Sequence, residues 1–325
     1  MIDVHRLRVL LAVAEHGSFN RAASALGLTP SAVSQHIASL ERGLGRPVAV
    51  RSTRGVTLTE AGRLLTETAR TIDAELNQVR HRIDRLAAPR PRLTVATFTS
   101  GGRHLLPPAL TAFVAAHPEV ELTVLEAEPE DALPMVRGGQ ADLALTYRFD
   151  GPLPSGAPDG RGPTGVNWVP LAEDPLYAVL PPGHPLAGRD ALEPAELAAD
   201  RWVLGCLKTE AHLRRYAERV GFELRIAAST TDYFFAQTLV GAGVGVALIP
   251  HIGLAPAAGC AVVPLEPPGP ARHIGMVTPR RPSPEPYANA LTAALSASAA
   301  AATPAVDRGP AGQGGRPPGS SPRRC

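Results

Sequence analysis

A short stretch near the start of the chain places small and polar side chains on one face of a predicted helix. Residues 30–44 have Thr29 as a suitable N-cap and Pro30 at the first helical position. Apolar residues recur from Val33 at helical spacing and predict a buried stripe. Gln35 is the predicted base-reading residue, because an amide can pair with adenine through two hydrogen bonds. The predicted nucleic-acid contacts on this outer face are Thr29, Pro30, Ser31, Ser34, Gln35, Ala38 and Arg42.

A second helix is predicted just before this one. It begins after Ser18, a residue type suited to the N-cap, and ends at Gly27. Ala22 and Ala23 on its inner face would let the two helices approach closely, and Leu28 would fill the turn between them. Two short helices in this order are typical of a DNA-binding helix-turn-helix. On these residues alone, a helical hairpin that only builds a core is an equally open alternative.

The residues around this hairpin resemble the N-terminal DNA-binding domain of LysR-type transcriptional regulators. Small-residue pairs, a Ser-rich turn, the phrase VSQHIASLE and a following TEAG occur in the family's order and spacing. One departure is Val48 and Ala49, where the family usually has Leu and Phe before the Arg of its wing. The resemblance depends jointly on Ala22, Ala23, Leu26, Ser34, Ile37, Leu40, Glu41, Gly45, Arg51, Leu58, Thr59 and Gly62.

This resemblance implies a wing after the hairpin, and the local pattern agrees. A first helix over residues 4–16 would support the hairpin, and residues 46–50 and 56–58 predict two short strands around a turn. Arg51 and Arg54 at the tip of the wing are predicted to contact phosphates or the minor groove. Simple solvation of these two arginines is the alternative.

Basic charge is concentrated at the start of the chain. The 325-residue sequence has 44% hydrophobic residues and a net charge of +2, which is ordinary for a globular protein. Residues 1–58, the predicted winged helix-turn-helix domain, carry seven Arg against three acidic residues. Residues 92–296 carry fifteen basic against twenty-one acidic residues. The basic domain is therefore the part expected to bind double-stranded DNA.

A long helix is predicted after the wing. Thr59 is a suitable N-cap, and Pro89 would end a helix that reaches about residue 87. Its apolar residues follow a coiled-coil heptad, formed by Leu65, Ala69, Ile72, Leu76, Val79, Ile83 and Leu86. This seam predicts a linker over residues 59–88 that holds a homodimer through residues 59–87. A helix packed on its own domain is the alternative. Pairing of dimers into tetramers is common in the family and is not decided by this sequence.

From residue 92 onward, short strands alternate with helices, which predicts an α/β domain with a mostly parallel sheet. The predicted strands are 93–97, 120–125, 141–145, 176–180 and 244–249. The predicted helices are 108–115, 130–136 and 233–240. The predicted fold class is therefore an α/β C-terminal domain, preceded by an all-α winged helix-turn-helix and a long linker helix.

The α/β stretch resembles the effector-binding region of the same regulators. Matching phrases are LPPALTAFVAAHPEVELTV, GGQADLALTY, GHPLAG and LVGAGVGVALIP. The resemblance implies the fold of periplasmic solute-binding proteins, with subdomain I at 92–168 and 265–296 and subdomain II at 169–264. Residues 297–325 have almost no large apolar residue and are predicted to be disordered.

Ligands of open α/β sheets bind beyond the carboxyl ends of the strands, and polar segments lie at such positions here. The predicted effector-binding residues are Thr99, Ser100, Gly101, Cys206, Thr230, Thr231 and Asp232. The segments that contain Cys206 and Thr231 also match cleft-lining positions of the family. Hydroxyls and backbone N–H groups at helix starts would favour an anionic effector such as a carboxylate. For Ser100 and Thr231, a helix cap is the alternative.

Catalysis has no candidate residues in this sequence. Gly241, Gly243 and Gly245 follow a predicted helix and precede a strand, which is the reverse of the dinucleotide-binding order. The histidines lack metal-ligand spacing, and three widely spaced cysteines predict reduced thiols, so neither a metal nor a cofactor is expected. No apolar run reaches eighteen residues and no signal peptide is predicted. We expect a cytoplasmic protein without a membrane partner.

The sequence therefore predicts a homo-oligomeric transcriptional regulator that binds DNA and responds to a small-molecule effector. A redox-sensing regulator of the same family, which would use Cys206, is one alternative. A solute-binding protein would need a signal peptide and no basic domain, and an α/β enzyme would need a reactive group of residues. The sequence does not decide the effector, the target genes, or activation against repression.

Overall fold

The computed structural model describes most of the chain. It describes residues 2–52, 55–86, 88–149, 166–255, 259–267, 269–280 and 286–302. Arg54 of the predicted wing tip and residues 303–325 of the predicted tail lie outside the described residues. Within the described part, no helix is both long enough and apolar enough to span a membrane.

The N-terminal domain has three helices and a two-stranded wing. Its elements are α1 (Val4–His16), α2 (Phe19–Leu26), α3 (Pro30–Leu44), β1 (Ala49–Ser52) and β2 (Gly55–Leu58). Thr29 caps α3, because its Oγ1 accepts a hydrogen bond from the Ala32 N–H at 3.2 Å. Ser18 stands at the N-cap position of α2, but its side chain makes no capping hydrogen bond. The buried core of this domain includes Leu10, Val13, Ala22, Ala23, Val33, Ile37, Leu40 and Val48.

The first wing strand starts at residue 49, three residues later than the sequence predicts. The Glu41 carboxylate on α3 accepts hydrogen bonds from the backbone N–H groups of Val48 at 2.9 Å and Ala49 at 3.4 Å. The Val48 carbonyl in turn accepts a hydrogen bond from the Thr59 N–H at 3.0 Å. The segment before β1 is thus held by α3 and by the start of the linker instead of by a partner strand.

The linker is one helix, α4 (Glu60–Leu86), of 27 residues. At 1.5 Å per residue it is about 40 Å long. Thr59 caps it, since its Oγ1 accepts a hydrogen bond from the Gly62 N–H at 3.1 Å. Gly62 lies so close to Val48 that a Cβ there would overlap the Val48 carbonyl oxygen. The start of α4 is therefore packed directly against the base of the wing.

The heptad seam of α4 divides into two parts. Ala69 is 2% exposed, and Leu65 packs against the core of the N-terminal domain. For this part the alternative of a helix packed on its own domain is correct, because α1 packs against it. The second part is exposed to solvent, with exposed fractions of 45, 50, 60 and 86% for Leu76, Val79, Ile83 and Leu86.

The C-terminal part is an α/β domain, so the predicted fold class is confirmed. Its elements are β3 (Arg92–Thr97), α5 (Thr99–His104), α6 (Leu106–Ala116), β4 (Glu121–Glu126), α7 (Pro129–Arg137), β5 (Leu143–Arg148), β6 (Val166–Leu180), β7 (Arg201–Leu204), α8 (Leu207–Val220), β8 (Arg225–Ser229), α9 (Tyr233–Gly241), β9 (Ala247–Pro250), β10 (Ala261–Pro264), β11 (Ala271–Pro279) and α10 (Tyr287–Ala302).

Two long strands connect two groups of shorter ones. The order β4-β3-β5-β11-β6 forms one group, in which β3 is parallel to β4 and β5. The first part of β6 pairs antiparallel with β11, from Val166 opposite Pro279 to Pro175 opposite Ala271. The rest of β6 pairs with β9 and β10, and β7 pairs with β8 nearby. Separate buried clusters lie in the two groups.

Several boundaries differ from the sequence prediction: β5 starts two residues and β9 three residues later than predicted, and two further differences bear on the domain limits. Strand β6 begins at Val166, ten residues before the predicted 176–180 strand, so the predicted subdomain boundary at residue 168 falls inside it. Helix α10 reaches Ala302, so residues 297–302, predicted to be disordered, are helical. Ala299 is fully buried, which explains why the helix continues through this alanine-rich segment.

Candidate functional sites

The outer face of α3 has the composition that the sequence predicts. Ser31, Gln35, Ala38 and Arg42 are exposed, and Ser34 is half-buried. Thr29 and Pro30 at the helix start are exposed as well. The opposite face is buried, since Val33, Ile37 and Leu40 are each at most 4% exposed. The apolar stripe therefore fixes which side of α3 faces outward.

Most polar groups on this face are held by local hydrogen bonds. The hydroxyls of Thr29 and Ser31 are 3.0 Å apart, and the Ser34 hydroxyl donates to the Pro30 carbonyl at 2.8 Å. Arg42 Nε lies 3.4 Å from the Ala38 carbonyl. These contacts keep the flanking side chains close to the helix, so the exposed amide of Gln35 stands between them.

The wing is described in part. Arg51 lies in β1 with its backbone opposite Val56, one position before the last pair of the hairpin. This places Arg51 next to the turn, as predicted, whereas Arg54 lies outside the described residues. Arg21 and Arg46 are also exposed on this domain, although sequence reasoning did not single them out. Their basic side chains could have been noticed from the charge count of the first 58 residues.

A pocket lies between the two groups of strands in the α/β domain. Its walls come from the segment after β3, from β5, from the segment after β7 and from the start of α9. The cavity volume is about 20 Å³, which is about the space that one buried water needs. Five predicted effector-binding residues line it: Thr99, Ser100, Cys206, Thr231 and Asp232.

The other two predicted residues, Gly101 and Thr230, do not line this pocket. Gly101 is buried, and a Cβ at this position would press into the side chains of Phe98 and Leu145, so the glycine is required for packing. The Thr230 hydroxyl donates to the Asp232 carbonyl at 2.9 Å and so braces the turn before α9. Gly101 thus serves packing and Thr230 serves the turn, and neither residue lines the pocket.

Asp232, and not Thr231, caps α9. Its carboxylate accepts a hydrogen bond from the Phe234 N–H at 2.9 Å. The N-cap position of α5 is Phe98, so Ser100 is not a cap either. The helix-cap alternative is therefore wrong for Ser100 and Thr231, and both side chains border the pocket for other reasons.

A fully buried ion pair closes one side of the pocket. Arg272 on β11 is 0% exposed, and Asp174 on β6 is 1% exposed. Arg272 donates from Nη2 at 2.7 Å and from Nε at 3.0 Å to the same Asp174 oxygen. Burial alone would lower the pKa of Arg272, but the Asp174 carboxylate outweighs burial and raises it. Arg272 is therefore charged in the folded protein.

The ion pair connects the two groups of strands. The second oxygen of Asp174 accepts a hydrogen bond from the Ile252 N–H at 3.1 Å, just after β9. Arg272 Nη2 also donates to Ser100 Oγ on α5 at 3.1 Å. One side of the network thus belongs to the group with β3, and the other to the group with β9.

Three aromatic rings surround the Arg272 guanidinium. The ring centres of Tyr147, Phe98 and Tyr233 lie 4.6, 5.2 and 5.6 Å from its central carbon. Burial raises the pKa of Tyr147 and of Tyr233, so both phenols are neutral. In the pocket wall His104 has a lowered pKa, first through burial and then through Arg103, and its imidazole is neutral at pH 7.

Tyr147 joins Cys206 to an acidic residue. Its hydroxyl donates to Glu128 Oε2 at 2.8 Å and lies 3.4 Å from Cys206 Sγ. The hydroxyl of Tyr233 is 2.6 Å from that of Thr209, behind the same wall. Sequence reasoning missed Asp174 and Arg272, because Asp174 lies two residues before the predicted 176–180 strand and no strand was predicted around Arg272.

Among the described residues, no group of three or more His, Cys, Asp or Glu side chains could hold a metal ion. The arrangement instead combines an exposed basic helix-turn-helix with a small polar pocket. This pocket lies between the two groups of strands, each of which with its helices forms one α/β lobe. This is the architecture of a ligand-responsive DNA-binding regulator.

Comparisons with known proteins identify the family. Residues 4–63 match the model of the bacterial regulatory helix-turn-helix protein, lysR family, and residues 87–300 match that of the LysR substrate binding domain. A probable hydrogen peroxide-inducible genes activator from Mycobacterium avium is 32% identical over 283 residues, covering 83% of this chain and 86% of that protein. The chain belongs to the LysR family of DNA-binding transcriptional regulators.

Solved structures agree on the fold. A full-length BenM mutant superposes with a TM-score of 0.54 at 20% identity, covering 90% of this chain and 95% of that one. An OxyR mutant from Corynebacterium glutamicum superposes with a TM-score of 0.53 at 26% identity, covering 92% of this chain and 94% of that one. The predicted family and function, a LysR-type regulator with an effector-binding domain, are confirmed, and the relatives are transcriptional regulators, not enzymes.

Proposed function

We propose that α3 reads an operator in the major groove, with Gln35 as the base-reading side chain. The exposed face opposite the Val33 stripe supports this assignment, because only that face is available to DNA. Ser31, Ser34 and Ala38 would lie against neighbouring bases. Arg42, Arg51 and Arg54 would contact phosphates or the minor groove, and the N-terminus of α3 at Thr29 and Pro30 would face a phosphate.

The second part of the α4 seam is proposed to pair with a second copy of the chain. Its four exposed apolar side chains, from Leu76 to Leu86, form a stripe that water would otherwise cover. A homodimer would present two α3 helices to two half-sites of an interrupted palindrome. Such a regulator acts on chromosomal DNA, and the cytoplasm is therefore its proposed compartment.

The pocket beside Arg272 is proposed to bind the small-molecule effector. The observation that carries this is the convergence of polar residues from both groups of strands, namely Ser100 on one side and Thr231 on the other, around a buried ion pair. A ligand held there would contact both lobes at once. Its binding would therefore change how the lobes sit relative to each other.

The experiment combines operator binding with effector binding. DNA flanking the gene is footprinted, and candidate metabolites are screened by thermal shift of the full-length protein. Ser100→Ala and Thr231→Val are expected to weaken effector binding in calorimetry and to leave effector-free operator affinity unchanged. Thr111→Val, on the exposed surface of α6, is a matched hydroxyl-loss control. Wild-type effector binding by both pocket variants would place the effector site elsewhere.

A peroxide-sensing role is the second candidate function. It is favoured by the relatives named as peroxide-inducible gene activators and by Cys206 in a pocket of about water size. Hydrogen peroxide would oxidise the Cys206 thiol to a sulfenic acid, with one oxygen transferred to sulfur and water released. Mass spectrometry of peroxide-treated protein is expected to show one added oxygen on Cys206 in this case. If oxidised wild type and Cys206→Ser bind the operator equally, this candidate fails.

A further inference from the structure

The pocket contains one donor that the fold leaves unsatisfied. Asp174 takes the Nε and Nη2 groups of Arg272, and Ser100 accepts a further hydrogen bond from Nη2. The remaining nitrogen, Nη1, is buried and has no hydrogen-bond partner among the residues that the structure describes. A buried N–H group without an acceptor is unfavourable in free energy. This position therefore favours an acceptor that comes from outside the fold.

The surroundings of Arg272 leave the pocket as the source of that acceptor. The rings of Phe98, Tyr147 and Tyr233 lie around the guanidinium and shield its charge. Ring faces attract a cation but do not replace an oxygen acceptor for an N–H group. Arg272 itself lines the pocket, so a ligand in that space can reach the guanidinium directly.

We propose that the effector carries a carboxylate, one oxygen of which accepts a hydrogen bond from Arg272 Nη1. This inference rests on the proposed function of the pocket as the effector site. Ser100 Oγ already accepts from Nη2, so its own hydrogen is available for the second carboxylate oxygen. Hydrogen bonds between a guanidinium and a carboxylate are shorter and stronger than neutral ones.

The size of the cavity restricts the buried part of the effector to a small head group. A volume of about 20 Å³ is about the space of one water, so it admits one carboxylate oxygen, and the rest of the carboxylate enters only with some movement of the two lobes. The remainder of the molecule would lie toward Thr231 and Asp232 at the start of α9. An effector bound in this way bridges α5 and α9, which lie on opposite sides of the pocket.

The net charge of the lining does not select an anion. Asp174 balances Arg272, and of the other charged lining residues Arg103 adds one positive charge whereas Glu128 and Asp232 add two negative ones. Glu128 and Asp232 each accept a hydrogen bond from the protein. Selection of a carboxylate over an uncharged amide of the same shape therefore depends on direct contact with Arg272.

The test uses the full-length protein and small carboxylates with their matching amides. Acetate, lactate, pyruvate and 2-oxoisovalerate, and the corresponding amides, are titrated calorimetrically into wild type and Arg272→Lys. Lysine keeps a positive charge opposite Asp174 but has one ammonium nitrogen in place of three guanidinium nitrogens, so it has no counterpart of Nη1. The carboxylate with the highest affinity is expected to bind wild type at least tenfold more tightly than the corresponding amide does. Arg272→Lys should lose this preference, whereas Arg189→Lys, at an exposed ion pair of the same domain, should keep it.

If Arg272→Lys is unfolded by circular dichroism, the double variant D174L/R272M replaces it, because both buried charges are removed together. Unchanged carboxylate binding by the folded variant, equal binding of carboxylate and amide, or no binding of any carboxylate to wild type would each overturn the inference. If Thr231→Val weakens carboxylate binding and Arg272→Lys does not, the pocket remains the effector site and only this inference fails. If Arg272→Lys weakens binding but the bound carboxylate leaves operator affinity unchanged, this inference stands and the proposed function fails.

Discussion

Asp174 and Arg272 form an ion pair that is almost fully buried beside the pocket. Neither side chain is more than 1% exposed, so each depends on the other for the stability of its charged form. The pair also fixes Ser100 and the Ile252 backbone, which lie on different lobes. At the scale of single residues, this pair is therefore both a structural contact and a wall of the pocket.

Asp174→Asn should destabilise the protein strongly, because it leaves the Arg272 charge buried with only a neutral amide beside it. Breaking a buried ion pair in this way costs about 3–5 kcal/mol. Urea unfolding at pH 7, followed by circular dichroism, measures the loss. Glu60→Gln, which removes one partner of an exposed pair with Arg63, is the control and should change stability by less than about 0.5 kcal/mol. Equal midpoints for the two variants would contradict the structural role of the pair.

Gln35→Ala should reduce operator preference, since it removes the amide at the centre of the exposed face of α3. The expected loss of discrimination between operator and scrambled DNA is about 1–3 kcal/mol. Fluorescence anisotropy at fixed salt concentration measures both affinities. Arg42→Ala is the matched comparison, because loss of a phosphate contact weakens operator and scrambled DNA alike. Full operator preference in Gln35→Ala would remove Gln35 from the base-reading role.

The residue-scale features differ in how far the sequence predicts them. The outer face of α3 follows from the spacing of Val33, Ile37 and Leu40, which is local information. The contact between Asp174 and Arg272 joins residues 98 positions apart, and no local pattern contains it. Gly101 shows the same limit, because its proximity to Leu145 on β5, 44 positions away, depends on how α5 packs onto the sheet.

At the scale of elements, α4 makes two different packing contacts along one helix. Its first turns belong to the N-terminal domain through Ala69 and the Arg8–Asp73 ion pair at 2.6 Å. Its last turns contact the α/β domain, where Gln78 Nε2 is 3.4 Å from the Val136 carbonyl and Arg85 pairs with Asp142. Heptad periodicity predicted the helix but not which part of the seam α1 would cover.

The double variant L76D/I83D should abolish or weaken dimerisation. Both side chains are exposed in the single chain, so the substitutions leave the fold intact and place charges in the proposed interface. Light scattering of the purified protein is expected to show a shift from the oligomer toward the monomer. Thr71→Asp, on the opposite face of the same helix, should leave the mass unchanged. An unchanged mass for the double variant would exclude this face of α4 as the interface.

The sequence predicted only the last five residues of strand β6, 176–180, because two prolines lie in the part before them. Pro170 and Pro175 interrupt the apolar run, and proline argues against a central strand because it lacks an N–H donor. In the structure Pro170 stands at an irregularity, where the register shifts opposite the Ile274–Gly275 step. Pro175 stands at the end of the pairing with β11, just before β6 changes to β9 and β10 as partners. Both prolines thus occupy positions where the ladder is already interrupted.

At the scale of the whole molecule, DNA affinity should depend on salt concentration as expected for a dimer with two basic helix-turn-helix domains. Each phosphate contact adds about −0.9 to the slope of log affinity against log salt concentration. Wild type is therefore expected to show about twice the slope of the monomeric L76D/I83D variant on the same operator. Anisotropy titrations at several salt concentrations measure both slopes. Equal slopes would mean that only one helix-turn-helix domain binds the DNA in the wild type.

The order of domains was predictable for the whole molecule, because each domain has its own local signature. A basic helix-turn-helix, a heptad helix and alternating strands and helices follow one another along the sequence. The pocket was predictable only as a region, since the ends of strands and the starts of helices indicate where ligands bind. The part of the pocket wall that β11 contributes, Arg272, comes from a segment that sequence reasoning did not assign as a strand.

Gly62 allows the linker helix to touch the base of the wing, and this contact has a mechanical consequence. Thr59 Oγ1 donates to the Pro47 carbonyl at 2.8 Å, and the Thr59 N–H donates to the Val48 carbonyl, so the base of the wing is joined directly to the start of α4. A tilt of about 5° applied at the far end of a helix about 40 Å long moves the near end by about 3.5 Å. That displacement is about one base-pair step along DNA. If the wing contacts DNA as we propose, a small change in the α/β domain would therefore move that contact by about one base pair.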